Sequence, residues 1–491
     1  MLNKSLPNHR DNESFHQGND SAHDAKQNPA CLAEHAGSGG RRRRRNDRAS
    51  GGKAKPPTSI WEQDTLTGDW GGARTTLKDK GIEFTLAYIG ETFAVLSSGI
   101  DRRASYEGRF EFTADSNLEK LIGWTGAKTH ITIYQFHNSG RNVADNVGSI
   151  ADPSYVDALP TTRLVTAWFE QNFNDRFSLR IGQLAADDEF MISPTVGGYV
   201  NGNEDTSYGG LFNSIFGWAG ILGPDMIHGG PSSPLAAPGA RLKVNATDNV
   251  TLLTAVFSGD PAGRNCTGNP EQCNKYGTTF SFSGGALWMG ELQYKLSGNL
   301  PGVYKVGAWY ATADYADQHF GVNGAGTVVS LADPAAAGPL NHSGNWGIYG
   351  LVDQMVSRIG KDGSVNVFLR GGVAPTDRNL ISFYMDGGIG VKGALRDRPN
   401  DMFTLGIAYS KISPAAAAFD RDTLAIAPPF PIRDEEVVFE MTYATQIAPW
   451  WIVQPDLQYI VHPGGNVPNP NDPTVAIGNA FIAGIRSTIK F

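Results

Sequence analysis

From Ile82 to the last residue, apolar and polar side chains alternate with a period of two, which is the pattern of β-strands that have two unlike faces. In Tyr106–Ser116, for example, Phe110 and Phe112 lie on one face, while Arg109 and Glu111 lie on the other. This pattern predicts an all-β protein of about sixteen strands. The predicted strands are Ile82–Ala94, Tyr106–Ser116, Lys128–His137, Thr162–Asn172, Arg176–Leu184, Ala240–Ala246, Val250–Ser258, Leu287–Leu296, Gly302–Thr312, Trp346–Val356, Ser364–Val373, Ile381–Lys392, Met402–Lys411, Glu435–Gln446, Trp450–Val461 and Ala480–Phe491.

The connections between these strands alternate in length, which indicates an antiparallel transmembrane barrel. Such barrels have tight turns at one end and long loops at the other. The predicted long loops are Asn138–Pro160, Ala185–Gly239, Gly259–Ala286, Ala313–Asn345, Ile412–Asp434 and His462–Asn479. A barrel of about sixteen strands encloses a lumen too wide to fill with side chains. We therefore expect the apolar faces to meet lipid and the polar faces to line the lumen.

Three regions are predicted along the chain. Residues 1–57 form a charged leader without periodicity, which we expect to be disordered. Its basic run Arg41–Arg45 is interpreted as a solvated tail rather than a site for nucleic acid or anionic lipid. Residues 58–81 form a short N-terminal segment with a helical turn at Thr75–Lys80, expected on the periplasmic side, and residues 82–491 form the barrel. An exported protein needs a signal sequence, and because the leader shows none, we expect a mis-assigned start.

Composition narrows the possible functions. The net charge of -8 and the isoelectric point of about 5.7 argue against a nucleic-acid partner. There is no apolar run of about 18 residues, the minimum for a transmembrane helix. The sequence contains neither a G-x-S-x-G nor an H-E-x-x-H motif, and neither a P-loop nor a dinucleotide fingerprint. We expect no enzyme activity, cofactor or metal. Cys266 and Cys273 flank a turn-rich stretch and either close a disulfide or remain free; a zinc site lacks further ligands.

Several motifs resemble the carbohydrate-selective porin (OprB) family. Leu66–Gly72 reads LTGDWGG and is followed by Arg74, and Gln454–Gly465 reads QPDLQYIVHPGG. Weaker matches are IGQL at Ile181–Leu184 and FSGDP at Phe257–Pro261, so the resemblance spans residues 61–491. A final strand that ends in Phe491 resembles the C-terminal signature of bacterial outer-membrane barrels. The resemblance implies a sixteen-stranded barrel in the bacterial outer membrane that admits monosaccharides. The leader and the insert-like run GGYVNGNEDTSYGG depart from the family pattern.

The function predicted on this basis is passive, selective diffusion of glucose-like sugars. The alternatives are a non-selective outer-membrane channel, an outer-membrane barrel enzyme with a Ser–His pair, and a soluble β-rich binding protein. The expected partners are small sugars and outer-membrane lipid, and the chain is expected to be a monomer or a homotrimer.

Strand parity nominates the residues of a polar constriction. Guanidinium and carboxylate groups each engage two neighbouring hydroxyls of a sugar, and an aromatic ring covers its apolar face. The residues that carry such groups on lumen faces are Arg109, Glu111, Asp115, Trp168, Glu170, Arg180 and Arg370, with Arg241 and Lys243 as further candidates. The tight turn at Asn172–Arg176 brings Glu170 and Arg180 near each other. The alternative interpretation is that these are ordinary charges of a wide pore, either solvated or paired with one another.

The longest predicted loop, Ala185–Gly239, has two interpretations. We expect it to fold into the lumen and narrow it, and the alternative is an external cap or mobile surface loop. Asp187, Asp188 and Glu189 open the loop, and clustered carboxylates can bind Ca²⁺. Because their spacing does not match an EF-hand loop, a calcium site here is only a weak alternative.

Overall fold

A computed structural model describes residues 59–196 and 210–491. The predicted disorder of residues 1–57 and most of the insert-like run, at 197–209, therefore lie outside the described residues. The strands are β1 (Ile82–Gly99), β2 (Ala104–Asn117), β3 (Ala127–Asn138), β4 (Thr162–Asn174), β5 (Phe177–Leu184), β6 (Ala237–Asn245), β7 (Val250–Asp260), β8 (Ser283–Leu296), β9 (Gly302–Asn323), β10 (Val328–Ser330), β11 (Ala336–Ile359), β12 (Gly363–Val373), β13 (Ile381–Lys392), β14 (Met402–Ile412), β15 (Glu435–Ala448), β16 (Trp451–Val461), β17 (Pro468–Asn469), β18 (Asp472–Ala476) and β19 (Gly478–Lys490).

Sixteen of these strands close into one antiparallel barrel, so the predicted fold class is confirmed. Each strand pairs with the next along the chain, and β1 also pairs with β19 from Ala87–Lys490 to Ala94–Ala483, which closes the sheet. The short strand β10 only extends β9 at one end, and β17 and β18 form a separate hairpin. Within the described residues, no helix is both long and apolar enough to span a membrane.

The faces of the barrel are inverted relative to those of a soluble protein. On β2, Phe110 and Phe112 point outward and are 40% and 37% exposed, whereas Arg109 and Glu111 point inward and are 0% and 2% exposed. Outward apolar side chains recur on the other strands, for example Leu369 on β12 and Ile485 on β19. An apolar outer wall around a polar lumen matches a barrel whose surrounding solvent is lipid.

All sixteen predicted barrel strands are found, but two of them are much longer than expected. The predicted loop Ala313–Asn345 is mostly strand, because β9 continues to Asn323 and β11 already begins at Ala336. Beyond the lipid both faces of a strand meet water, so alternation of apolar and polar residues no longer marks it. The predicted loop Ile412–Asp434 likewise contains a helix that begins at Pro414 after a Ser413 cap.

The helices are short and lie in the connections. The α-helices are α1 (Ala73–Asp79), α2 (Leu118–Ile122), α3 (Val143–Val147), α4 (Pro270–Cys273), α5 (Pro414–Ile426) and α6 (Pro463–Asn466), and the 3₁₀ turns are Ile60–Glu62, Trp70–Gly72, Ala186–Asp188, Ser214–Phe216 and Ile227–Gly229. α1 contains most of the predicted helical turn Thr75–Lys80. Cys266 and Cys273 form a disulfide in the connection between β7 and β8, which decides between the two alternatives for this pair.

The N-terminal segment, residues 59–81, packs against the end of the last strand and the turn before β16, at the short-turn end of the barrel. Arg74 donates to Thr65 Oγ1 at 2.7 Å and to the main-chain oxygen of Phe491 at 2.7 Å. Trp61 stacks on Trp450 with ring centroids 5.8 Å apart, and the indole N–H of Trp450 donates to the Ile60 carbonyl at 2.8 Å. The LTGDWGG motif therefore forms the turn that delivers Arg74 to the end of β19.

Candidate functional site

The connection between β5 and β6, residues 185–236, lies inside the barrel and is called the long loop. Glu291 on β8 accepts the Met191 N–H at 2.7 Å, Asp353 on β11 accepts the Thr195 N–H at 2.7 Å, and Glu440 on β15 accepts the Asn213 N–H at 2.9 Å. β8 lies two strands from β6, but β11 and β15 lie four and eight strands round the wall from it, so the loop crosses the lumen. The prediction that it folds inward is confirmed for its described residues.

A second connection, between β3 and β4, also folds inward, which the sequence did not predict. This first inner loop, residues 139–161, carries buried Val143, Val147 and Tyr155. Its Tyr155 N–H donates to the Phe212 carbonyl of the long loop at 3.0 Å. The sequence signal for this burial is the apolar run Val143, Val147 and Ile150 at helical spacing. A loop surrounded by water would not need such an apolar face.

Two acids and two arginines form one ion cluster, defined as Glu170, Arg180 and Arg241 of the wall together with Glu189 of the long loop. Arg180 Nε lies 2.9 Å from Glu170 Oε2, and Arg241 Nη2 lies 2.6 Å from the same oxygen. Glu189 of the long loop reaches both arginines, at 3.3 Å from Arg180 Nη1 and 2.7 Å from Arg241 Nε. The predicted proximity of Glu170 and Arg180 is confirmed, and Glu189 ties the long loop to β5 and β6.

Aromatic rings extend the ion cluster along the wall. The guanidinium carbon of Arg180 lies 3.8 Å from the centroid of the Trp168 ring, a cation–π contact. The His130 ring stacks on the Trp168 ring, with the two centroids 4.7 Å apart. The His130 Nδ1 lies 2.8 Å from Asp115 Oδ1. Four of the seven predicted residues (Asp115, Trp168, Glu170 and Arg180) thus belong to one continuous row, which also contains His130, absent from the sequence prediction.

Arg109 and Glu111 form an ion pair of their own on β2. The Arg109 guanidinium carbon lies 4.4 Å from the Tyr134 ring centroid and 5.6 Å from that of Tyr155. Arg109 Nη1 also donates to the Tyr155 carbonyl at 3.4 Å. This pair therefore sits beneath the first inner loop, apart from the ion cluster.

Arg370, the last predicted residue, lies elsewhere on the wall, on β12. It pairs with Asp386 on β13 and donates to main-chain carbonyls of the long loop. Of the further candidates, Arg241 belongs to the ion cluster, and Lys243 lies two residues along the same lumen face of β6.

Sequence reasoning missed a further buried pair, Arg486 on β19 with Glu91 on β1. The guanidinium carbon of Arg486 lies 3.6 Å from the Phe212 ring centroid and 4.3 Å from that of Tyr155, so it touches both inward loops. Strand parity could have found it, since Arg486 is flanked by Ile485, which faces outward.

Two carboxyl groups of the long loop have shifted pKa values. Burial alone would raise the pKa of Glu189, but Arg180 and Arg241 more than offset it, and the pKa lies below its usual range. Burial raises the pKa of Asp225 well above its usual value, although the Ile381 and Leu380 N–H groups lower it in part. The two arginines thus favour the carboxylate form of Glu189, and burial favours the protonated form of Asp225.

The carboxylates that open the long loop do not converge on one point. Asp187 accepts the Ser233 N–H at 3.0 Å, whereas Glu189 binds the two arginines of the ion cluster. In the part of the chain that the structure describes, three ligand atoms of metal-binding type come within 4.8 Å of one another at Asp434, Glu435 and His462. Glu435 is already paired with Lys411 there, and the group lies at the long-loop end, away from the row on the wall.

Comparison with known proteins shows the same architecture. The protein is 26% identical over 468 residues to Porin B of Pseudomonas aeruginosa, covering 90% of this chain and 94% of the relative. It is 24% identical over 463 residues to a putative porin, QuiX, of Acinetobacter baylyi, covering 88% of this chain and 94% of the relative. The high-pH structure of Pseudomonas putida OprB superposes with a TM-score of 0.75 at 25% identity, covering 88% of this chain and all of the other.

The model of one protein family matches residues 101–491, which is most of the barrel. That family is described as carbohydrate-selective porins, and together with the closed barrel it assigns the protein to the bacterial outer membrane as a sugar channel rather than an enzyme. The chain belongs to the OprB family of carbohydrate-selective porins.

Proposed function

We propose that the protein admits glucose-like monosaccharides by passive diffusion, and that a passing sugar is recognised at the row from Asp115 to Arg180, beside which the buried pair Arg109 and Glu111 adds charge to the wall. The observation that carries the proposal is the contact of Trp168 with Arg180 beside Glu170. The part of the Trp168 ring that Arg180 and His130 leave exposed suits the apolar side of a pyranose, and the adjacent planar groups suit its hydroxyls.

The balanced charges of the ion cluster favour a neutral solute over an ion. Glu170 and Glu189 balance Arg180 and Arg241, so the ion cluster has no net charge when all four groups are ionised. Trp168, Glu170 and Arg180 are 8%, 6% and 5% exposed, which leaves a passing solute only a narrow strip of surface to contact. Weak, multiple contacts of this kind permit both uptake and release.

We further propose that residues 59–81 lie on the periplasmic side of the membrane. They pack at the end where most connections are only a few residues long, as at Asp175–Arg176 between β4 and β5. In bacterial barrels such turns face the periplasm.

Replacing Arg180 or Arg109 by Ala tests this proposal in planar bilayers. We expect the half-saturating glucose concentration to rise several-fold and the reversal potential to shift toward cation preference, because each change removes one positive charge from the wall. The control is Arg176→Ala, which removes an exposed arginine from a short turn outside the lumen.

Folding of each variant is checked by its heat-modifiable migration, since an unpaired buried carboxylate destabilises a protein by about 3–5 kcal/mol. If both folded variants keep the wild-type saturation and reversal potential, the assignment of these residues is wrong. If the wild-type pore shows no saturation by glucose, the alternative of a non-selective channel is favoured.

A further inference from the structure

We infer that Arg370 is a positioning residue that holds the long loop in place and thereby limits the size of the sugar that passes. This inference rests on the proposed function, because it assumes that sugars pass through the lumen that the loop narrows. Sequence reasoning placed Arg370 among the residues that contact sugar. Its contacts indicate instead that it acts on the sugar only through the loop.

The guanidinium of Arg370 gathers four main-chain carbonyls of the long loop. Nη1 donates to the carbonyls of Met191 and Gly217, and Nη2 donates to those of Ile215 and Phe216, at 3.0, 2.8, 3.1 and 2.8 Å respectively. Nε donates to Asp386 at 2.9 Å. Every nitrogen of the side chain is therefore engaged by protein groups, and the residue is only 1% exposed.

These carbonyls come from two separate stretches of the loop, and the local backbone conformation of each stretch leaves them available to Arg370. Ser214–Phe216 is a 3₁₀ turn, whose last carbonyls have no partner within the turn and carry partial negative charge. Met191 has a positive φ of 62°, which is uncommon for a residue with a side chain. Its N–H is bound by Glu291 on β8 and its carbonyl by Arg370 on β12, so two strands hold this strained residue.

Two neighbours on β13 fix the guanidinium itself. Asp386 pairs with it, and Tyr384 both touches Asp386 and donates its hydroxyl to the Ile215 carbonyl at 2.7 Å. Arg370, Tyr384 and Asp386 form what we call the loop anchor. Arg370 lies on β12, six strands round the wall from β5, the strand after which the loop begins. The anchor therefore holds the loop inside the lumen at a point distant from its start.

Only arginine can fill this position. Its planar fork presents five N–H groups in fixed directions, whereas lysine presents three on one flexible point charge. A lysine would leave some of the four carbonyls without a donor in a place where water has little access, and the buried oxygens would then move toward water. Because the loop crosses the lumen, such a movement widens the passage.

The test compares Tyr384→Phe, which removes only the supporting hydroxyl of the anchor, with Arg370→Lys, which removes part of the hydrogen bonds of Arg370, and with Arg370→Met, which removes all of them. The control is Arg358→Met, which removes an arginine from the exposed end of β11. We expect single-channel conductance, and the liposome swelling rate with a trisaccharide relative to that with glucose, to rise along the series. The rise in this ratio should be at least several-fold for Arg370→Met and absent in the control.

The inference is overturned if folded Arg370→Lys keeps the wild-type conductance and size ratio. It is also overturned if the variants lose saturation by glucose while conductance and size ratio stay unchanged, since that result assigns Arg370 to direct sugar contact. If wild-type protein discriminates no sugars at all, the proposed function fails, but a rise in conductance along the series still supports the positioning role. Heat-modifiable migration identifies the folded variants, and Tyr384→Phe remains informative if Arg370→Met does not fold.

Discussion

At the scale of single residues, the charged groups of the lumen wall act in two ways. Some pair with one another across the wall, as Glu170 does with Arg180 and Arg241. Others bind the main chain of the inward loops, as Asp353 and Glu440 do. Removing one member of a buried pair leaves an uncompensated charge and costs more than the pair itself contributes. Many charged residues of this lumen therefore stabilise the wall and the inward loops, whether or not they also contact a solute.

Asp225 supplies a prediction about pH. Its Oδ1 accepts the Ile381 N–H at 3.1 Å, which ties the long loop to β13, and burial raises its pKa well above the usual value. An unfolded chain releases this proton above about pH 4, whereas the folded protein retains it to a higher pH, so the contribution of Asp225 to stability falls as pH rises. Asn keeps the oxygen and cannot ionise.

We therefore expect the melting temperature of Asp225→Asn relative to wild type to increase from pH 4 to pH 8, measured in detergent. Asp248→Asn, in an exposed turn, is the control and should show no such trend. A difference between Asp225→Asn and wild type that does not change with pH would show that the carboxyl group is ionised in the folded protein.

For residues within the strands, the alternation of the sequence predicted which side chains face the lumen. Period two placed Arg109, Glu170 and Arg180 on the lumen face, and the short turn after β4 brought the last two together. The partner Glu189 could not be predicted, because its position depends on how a long loop folds rather than on strand geometry. Arg370 shows the same limit, since its face was predictable and its loop carbonyls were not.

At the scale of elements, closure of the barrel depends on a seam between the first and last strands. The pairing of β1 with β19 is the most non-local in the sheet, since these strands stand at opposite ends of the barrel sequence. Residues 59–81 reinforce it, because Arg74 binds Phe491 and the Leu66 N–H donates to the Lys490 carbonyl at 2.7 Å. The N-terminal segment thus stabilises the pairing of the first and last strands.

Replacing Arg74 by Ala should lower the free energy of unfolding by about 1.5–3 kcal/mol, the usual net contribution of one hydrogen bond from a charged group. Denaturant unfolding in detergent, followed by tryptophan fluorescence, measures the change. Arg176→Ala removes an arginine from the same end of the barrel without touching the seam and should have little effect. Equal stability of the two variants would contradict a role of the N-terminal segment in stabilising the seam.

The strands were the most predictable elements, because lipid on one side and water on the other impose strict alternation. The inner loops were less predictable: they pack in a polar lumen, and their burial is decided by partners such as Glu436, which accepts the Ile150 N–H at 2.8 Å. The Ser-Pro-Ala start of α5 was a readable helix signal that the expectation of a long loop concealed.

At the scale of the whole molecule, the protein is a closed barrel whose width is reduced from within. A sixteen-stranded wall alone leaves an aqueous channel. Here the long loop and the first inner loop meet across it, since the Ser214 N–H donates to the Asp152 carbonyl at 2.9 Å in addition to the contact of Tyr155 with Phe212. Under the proposed function, a solute passes between these loops and the charged wall, and its size and its hydroxyl contacts are the basis of selection.

The central claim, selective passage of small sugars, is tested most directly by swelling of liposomes that contain the purified protein. Rates are measured over a range of concentrations for glucose, a disaccharide, a trisaccharide and a polyethylene glycol similar in mass to glucose. We expect the glucose rate to saturate and to exceed that of the size-matched polyethylene glycol, with rates falling steeply toward the trisaccharide. Rates that rise linearly with concentration and depend on solute mass alone would contradict the account.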